Sequence, residues 1–487
     1  MNNPKTTQAT EVATSTVDKL VGMLDTEDQK NAVEEFIKQI GDKYAVERIN
    51  SALIDSYIES IDKVISAQMD EILHNEDFQA LESTWRGLHF LVQQTEFSKP
   101  VKFEILDAPK QELYDDLENA SRGDGYEKES ALYHHIYWNA YDLVGGHPYT
   151  AIIADYKFDK GAQDIGLLQH LSILGETAQL PFIANASANF FGQKDMGSVM
   201  NDRNLVEKIS GDPEYTKWRS FRDDDRSKYV GLCLPSFLGR LPYGPENDPT
   251  KNFNYTEGVF RDGQDHSLWC SASFALASNM VRSFERWGWS VKIVGVDSGG
   301  RVENLPTPTY EIGGQKKVKV PVEASVGQAK DAELCELGFI PLAHWDRTDY
   351  ACFFEVPSAQ RAWVDKKDPE GTANRAVGAR LQYTMLVTRI AHYLKYRQLR
   401  FVGKNAGAGD IEKTLKTWLD TLVADFPNPQ EKVIAERPLR SYSLEVTELP
   451  EKPGFFQVTA EFRPHVAIIG MDINLRLVAY HSGEEGK

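Results

Sequence analysis

The stretch YTAIIADYKFDKGAQDIGLLQHLSILGETAQLPFIANA, residues 149–186, decides the fold class. YTAIIADY and PFIANA read as strands, and DIGLLQHLSILGETAQL between them repeats apolar residues at helical steps. Strand, helix and strand joined by short connections make an α/β unit. The alternation continues in both directions. Upstream, VKFEIL (101–106) reads as a strand, and QELYDDLENA (111–120) and ALYHHIYWNAYDLV (131–144) read as helices. Downstream come strand KYVGLCLP (228–235), helix SLWCSASFALASNMVRSFERWGW (267–289) and strand VKIVGV (291–296). A β excursion over 300–325, helix AKDAELCELG (329–338) and strands FIPLAHW (339–345) and ACFFEV (351–356) follow. A long helix over 373–398, a KNAGAGD turn and a helix over 411–426 lead to three closing strands, 441–448, 455–462 and 472–479.

The amino-terminal part is of another kind. Residues 1–16 are polar and Thr-rich, a composition that stays disordered. In STVDKLVGMLDTEDQ, Val17, Leu20, Val21 and Leu24 form a narrow helical stripe that Ser15 or Thr16 can cap. It suits docking on its own protein and on a partner groove equally. A second helix over 27–40 aligns Val33, Phe36, Ile37 and Ile40. A third, over 45–73, carries Ile54, Ile58, Ile61, Ile65, Met69 and Ile72, and a fourth, over 78–95, aligns Phe78, Leu81, Trp85 and Leu88. So long a stripe as the third helix carries needs a helical partner, in cis or in trans. The predicted class is a mixture of α/β and α+β in three parts: a tail and helical arm (1–95), a central mixed region (96–400), and a carboxy-terminal helix with coupling strands (401–487).

A chain of 487 residues exceeds one hydrophobic core, so several units are expected. The net charge of −18 argues against nucleic acid, whose phosphates need clustered Lys and Arg. Residues 1–90 hold 8 Lys+Arg against 17 Asp+Glu, 8 − 17 = −9, half of the total. The polar start is unlike a secretory leader, and no apolar run is long enough to insert in a membrane. Cys233, Cys270, Cys335 and Cys352 lie in apolar contexts without metal spacing and are expected to be buried free thiols of a reducing cytoplasm.

Candidate chemistry is sparse. Ser298 in VDSGG invites comparison with a serine protease, but no A-x-H-C setting precedes it, so a turn is expected. Lys404 in GKNAGAGD lacks the Gly-Lys-Ser/Thr of a phosphate loop. Asp223, Asp224 and Asp225 could hold a hard cation, but Arg219, Arg222, Arg226 and Lys228 surround them, so a charged turn is expected. His134 and His135 are adjacent and point apart on a helix. In FRPHVAIIGMDINLRLVAY, Pro464 before His465 marks a strand boundary rather than a positioned base. No catalytic, cofactor or metal constellation emerges. What stands out is structural: unsatisfied helical stripes at one end, and at the other, alternating strands without an obvious sheet of their own.

From about Tyr57 onward the sequence resembles the large contractile sheath subunit of bacterial type VI secretion systems, the TssC/VipB (EvpB/ImpC) family. The resemblance is carried by LESTWRGLHFLV, HPYTAIIADYKFD, LPFIANASANFFG, WRSFRDDDRSKYVGLCLPSFLGRLPYG and FRPHVAIIGMDINLRLV; the first 50 residues match only in type. It implies a contractile tail-sheath-like fold and a non-enzymatic cytoplasmic assembly protein of a membrane-anchored apparatus, without cofactor or metal. Implied partners are the small sheath subunit (TssB/VipA), other copies of the chain, the Hcp inner tube, the baseplate and the AAA+ ATPase ClpV. It also implies that Val17, Leu20, Val21 and Leu24 form the ATPase handle and that Ile54, Ile58, Ile61, Ile65, Met69 and Ile72 meet the small subunit. Leu444, Val446, Phe456, Val458, Ile473, Leu475 and Leu477 then lie on strands that interlock neighbouring subunits. The alternatives are a phage-like tail sheath outside secretion and a hydrolase using Ser298 or the Asp223, Asp224, Asp225 cluster.

Overall fold

The computed structural model describes residues 51–465 and 475–480, apart from 142, 144–145, 252, 262–263, 313–314, 345–347, 349, 364–366, 400, 402–406, 428 and 450–455. Two compact units hold them: 51–75 with 243–259, and 76–242 with the described residues from 260 on. In the first, helix α1 (Ser51–Leu73) is tied at its end to the 243–259 loop. Asp70 accepts hydrogen bonds from the Tyr255 hydroxyl (2.7 Å) and the Gly258 amide (3.3 Å). Buried Glu257 lies 3.4 Å from His74 Nε2 and accepts from the Tyr243 amide at 2.9 Å.

The second unit opens with α2 (Glu76–Gln93) and α3 (Lys110–Arg122) and is organised by a parallel sheet. Strands β1 (Ile152–Phe158), β2 (Phe182–Ala186), β3 (Val230–Leu234) and β4 (Ile340–Pro341) lie in that order. Every pairing is parallel, with Phe182 opposite Val230 and Ile340 opposite Cys233. Helix α4 (Ala162–Ala178) makes the β1–β2 crossover and stops where Gln179 turns left-handed (φ 54°). The sheet is buried on both faces, as its crossovers require. Phe182, Ala184, Val230 and Leu232 join one cluster with Ile165, Leu168 and Leu171 of α4. Ile183 and Cys233 face the other way, towards Phe274, Ala275 and Leu276 of α5 (Ala272–Trp287). A register shift in β1 between Ile153 and Lys157 frees two carbonyls, and the buried Asn185 amide reaches them at Ala154 (3.3 Å) and Tyr156 (3.4 Å).

Several sequence expectations need correction. Among the described residues the VKFEIL segment has no ladder and forms no strand. VKIVGV bends where Gly295 adopts φ 77° and donates to the Phe353 carbonyl, so only Val294 forms an isolated bridge. FIPLAHW divides between two sheets: Ile340–Pro341 closes the parallel sheet, while Ala343–His344 pairs antiparallel with Ala351–Cys352. Beyond α6 (Gln328–Glu336), the helix expected over 373–398 is two: α7 (Pro369–Gly378) and α8 (Leu381–Leu399). The break occurs because the Ala379 carbonyl accepts from the Ser358 amide (2.7 Å) and the Leu381 amide donates to Val356 (3.0 Å). On α2 only Leu88 of the expected apolar face packs against the core. Phe78, Leu81 and Trp85 are exposed, whereas Gly87 and Leu91 are buried. A Cβ on Gly87 would meet the Phe274 ring at 2.4 Å, so the absent side chain is what lets α2 approach α5.

At the carboxy-terminal end, α9 (Ala408–Leu419) and α8 support an antiparallel meander of β5 (Leu439–Glu448), β6 (Phe456–Pro464) and β7 (Leu475–Tyr480). The closing strands therefore do have a sheet of their own. Leu444 and Val446 of β5 and Val458, Ala460 and Phe462 of β6 turn inward onto Ile390 and Leu394 of α8 and Leu415 and Leu419 of α9. Glu445, Thr447, Glu461 and Arg463 alternate outward.

Candidate assembly surfaces

The residues singled out for chemistry do not converge. Ser298 lies in a turn, its hydroxyl 3.5 Å from Glu431, which is paired with Lys292 at 2.9 Å; among the described residues no histidine bonds to it. The three aspartates disperse: Asp223 pairs with Arg361 (3.4 Å), Asp224 caps the following turn and pairs with Arg226 (2.6 Å), and Asp225 accepts from Gln360 (3.1 Å). Arg226 holds the Asp224 carboxyl below its usual range. Among the described residues no cluster of His, Cys, Asp and Glu could hold a metal ion. His134 and His135 lie on a π-helical turn, His134 against Trp138 and His135 stacked on Tyr149. Lys404 falls outside the described residues. All four cysteines are free, three of them buried, and burial raises the Cys270 thiol to about 12, far from a reactive thiolate.

His465 is structural. Its amide donates to Pro438 (3.0 Å) and its Nε2 lies 2.9 Å from the Ala424 carbonyl, fastening the end of β6. Pro464 ends that strand opposite Leu439, beside a register shift between Leu439 and Ser441, where the missing N–H costs no ladder bond.

Asp331 is the most perturbed carboxyl and went unnoticed in the sequence, which gives no sign of its burial. It is 7% exposed on α6, its Oδ1 has no hydrogen-bond partner, and burial with the nearby Glu355 charge raises its pKa to about 7. A raised carboxyl pKa favours the protonated fold, so this group's stabilisation is complete below pH 4 and declines as pH rises towards 7. Asp331→Asn is expected to remove that decline. Its gain over the parent in thermal denaturation should be larger at pH 8 than at pH 5, by about 1–3 kcal/mol; equal gains would contradict the burial argument.

Two surfaces remain. On α1, Ile58, Ile61, Ile65 and Ile72 are exposed, at 50%, 42%, 39% and 46%, Val64 joins them at 67%, and Met69 is half-buried. The Ile54 side chain and Val17, Leu20, Val21 and Leu24 lie outside the described residues. Among the described residues this helix face has no apolar neighbour that covers it. The second surface is the carboxy-terminal sheet. Val458 pairs with Val446 on one side and Ala479 on the other, while, among the described residues, the outward edge of β7 and that of β5 beyond the bridge of Leu439 to Val423 stay free of strands. Leu444, Val446 and Val458 spend their side chains on the chain's own core and Phe456 packs against it, so a neighbour could use these strands only through their edges. Leu475 and Leu477 lie on β7 opposite Phe462 and Ala460, and Ile473 falls outside the described residues.

Residues 55–360 match the domain family described as EvpB/VC_A0108, tail sheath N-terminal domain, and residues 370–480 match its tail sheath gpW/gp25-like domain. The chain belongs to the VipB/EvpB family of type VI secretion sheath proteins. The sheath protein TssC1 of the Pseudomonas aeruginosa type VI secretion system is 35% identical to it over 464 residues, 93% of this chain and 92% of the relative. Among solved structures, a chain of the anti-feeding prophage baseplate matches at 13% identity over 80% of this sheath protein and 81% of its own length, with a TM-score of 0.34. A sheath protein is a structural component.

Proposed function

We propose that this chain is the large subunit of a contractile type VI secretion sheath that has no enzymatic activity of its own. It pairs with the small sheath subunit through the exposed face of α1 and polymerises with further copies around an Hcp tube on a baseplate. Contraction drives the tube outward, powered by a metastable extended lattice. The AAA+ ATPase ClpV then recycles the contracted sheath through the helix of Val17, Leu20, Val21 and Leu24. On this reading the protein works in the cytoplasm, in an apparatus anchored at the membrane; among the described residues no helix is long and apolar enough to cross one. The edges of β5 and β7 serve as the strands that couple neighbouring subunits, because a main-chain ladder can hold while its flanking connections bend. The three-part division at residues 95 and 400 belongs to the same reading.

The observation that carries this reading is the family match, which takes in both sheath domains and most of the chain. Co-expression with the small subunit followed by electron microscopy tests it, with tubules or a stable heteromer as the expected result; neither forming would sink it. Leu20→Glu combined with Leu24→Glu is expected to abolish binding of the ATPase amino-terminal domain while assembly proceeds. Retained binding would move the handle elsewhere.

A further inference from the structure

The end of α5, the turn that follows it and the short helix Glu431–Glu436 enclose a cleft of about 170 Å³. At about 30 Å³ per water that is room for roughly five waters, or for one small acid group. Residues 282–299 of its wall lie in the stretch that matches the amino-terminal sheath domain, and residues 431–435 in the stretch that matches the gpW/gp25-like domain. The cleft therefore sits on the seam between the two. Four cations line it, Arg282, Arg286, Lys292 and Lys432, against two carboxylates, Asp297 and Glu431, so 4 − 2 = +2 in a chain of −18. Both carboxylates are already engaged. Glu431 pairs with Lys292 (2.9 Å) and accepts from the Ser298 hydroxyl (3.5 Å), and Asp297 pairs with Arg301 (3.5 Å). The arginines keep donors to spare. Arg286 makes no hydrogen bond or ion pair among the described residues. Arg282 spends Nη2 on Asn279 Oδ1 and the Arg301 carbonyl, while its Nε and Nη1 make no bond among the described residues. The two guanidiniums stand four residues apart on α5, a spacing at which like charges repel. Burial lowers the Arg282 pKa below its ordinary value, and the charge of Arg286 adds to that.

The last turn of a helix favours a cation, which accounts for one arginine at this end of α5. It does not account for a second with unspent donors, or for the cavity beside them. Guanidinium forks match the planar, two-oxygen geometry of a carboxylate. We propose that this cleft binds the side-chain carboxylate of an acidic peptide segment, held by Arg286 and Arg282 from one sheath domain and by Lys432 from the other. A phosphate group is the poorer occupant, because its second charge would meet Glu431, Asp297 and the negative field of the whole chain. A bound carboxylate also stiffens the seam. Without it the seam is held by the Lys292–Glu431 pair and by the Trp289 indole N–H, which donates to the Glu436 carbonyl at 3.3 Å.

The test titrates the full chain into a fluorescein-labelled peptide of alternating glutamate and glycine and follows polarisation. A peptide with glutamine in place of glutamate is the neutral control, and inorganic phosphate is the competitor. The acidic peptide should bind and the neutral one should not. Arg286→Gln changes an exposed residue without a partner, so it should keep the parent melting temperature and weaken the acidic peptide about tenfold. Arg286→Lys, which keeps the charge and loses the fork, should weaken it less. Arg437→Gln removes the same charge from an exposed residue outside the cleft and should leave binding unchanged. Hydrogen–deuterium exchange should slow about threefold at the amides of 431–437 when the acidic peptide is bound. Both readouts use the chain alone, so neither depends on sheath assembly. No binding of the acidic peptide, or equal losses in Arg286→Gln and Arg437→Gln, overturns the site. Phosphate displacing the label at lower concentration than unlabelled acidic peptide assigns the cleft to a phosphate group and overturns the carboxylate. Binding that leaves exchange at 431–437 unaltered overturns the bridging of the two domains.

Discussion

A chain carrying Ile58→Glu and Ile65→Glu is expected to fold like the parent and to lose its small sheath subunit on co-purification. The two side chains lie seven residues apart on one face of α1 and are 50% and 39% exposed in the chain by itself. Glutamate there meets water, and its helix propensity matches or exceeds that of isoleucine, so the unfolding midpoint should shift by no more than about 0.5 kcal/mol. Once a partner helix covers that face, each substitution removes a buried isoleucine and strands a carboxylate. Together these cost roughly 2–5 kcal/mol per site, enough to weaken a micromolar or tighter complex by more than a thousandfold. Circular dichroism melting and affinity co-purification separate the two effects. A variant that still retains the small subunit would remove α1 from that interface, whatever its stability.

What the sequence made legible follows from where its information lies. The β1–α4–β2 unit could be read because its apolar residues are dense and bounded by turn residues, and both strands and the helix between them are present. VKFEIL has the same local preference but no partner strand among the described residues, and strand pairing is a property of two segments. The face of α2 was misread for a related reason. Phe78, Leu81 and Trp85 make a convincing stripe, while the contact that fixes the helix is made through Gly87, which has no side chain to contribute to a periodicity. The division into α7 and α8 depends on backbone bonds from Val356 and Ser358, more than 20 residues away along the chain, which no local pattern around Ala379 records. The turn at Ser298 and the strand end at Pro464 were legible, because Ser-Gly-Gly and Arg-Pro-His carry turn and breaker signals of their own. The burial of Asp331 was not, since nothing in QAKDAELCE distinguishes it from a surface carboxylate.

Phe462→Ala is expected to be the most damaging single substitution in the carboxy-terminal sheet. Phe462 is 1% exposed and sits in β6, the middle strand, opposite Tyr442 of β5 and Leu475 of β7. Truncating a ring in a close-packed cluster removes its transfer energy and leaves a cavity, a loss of about 3–5 kcal/mol. Glu445→Ala, on the outward side of β5, should cost no more than about 0.5 kcal/mol and serves as the control. Urea titration gives the stability difference, and electron microscopy of the co-expressed subunits gives its consequence. Because, among the described residues, β7 joins the sheet only through β6, loosening β6 loosens both outer edges relative to α8 and α9. If those edges couple neighbouring subunits, Phe462→Ala should yield heteromers that no longer extend into tubules, while the α1 contact with the small subunit survives. Tubules of normal length from a variant destabilised by that amount would show that the coupling lies outside this sheet.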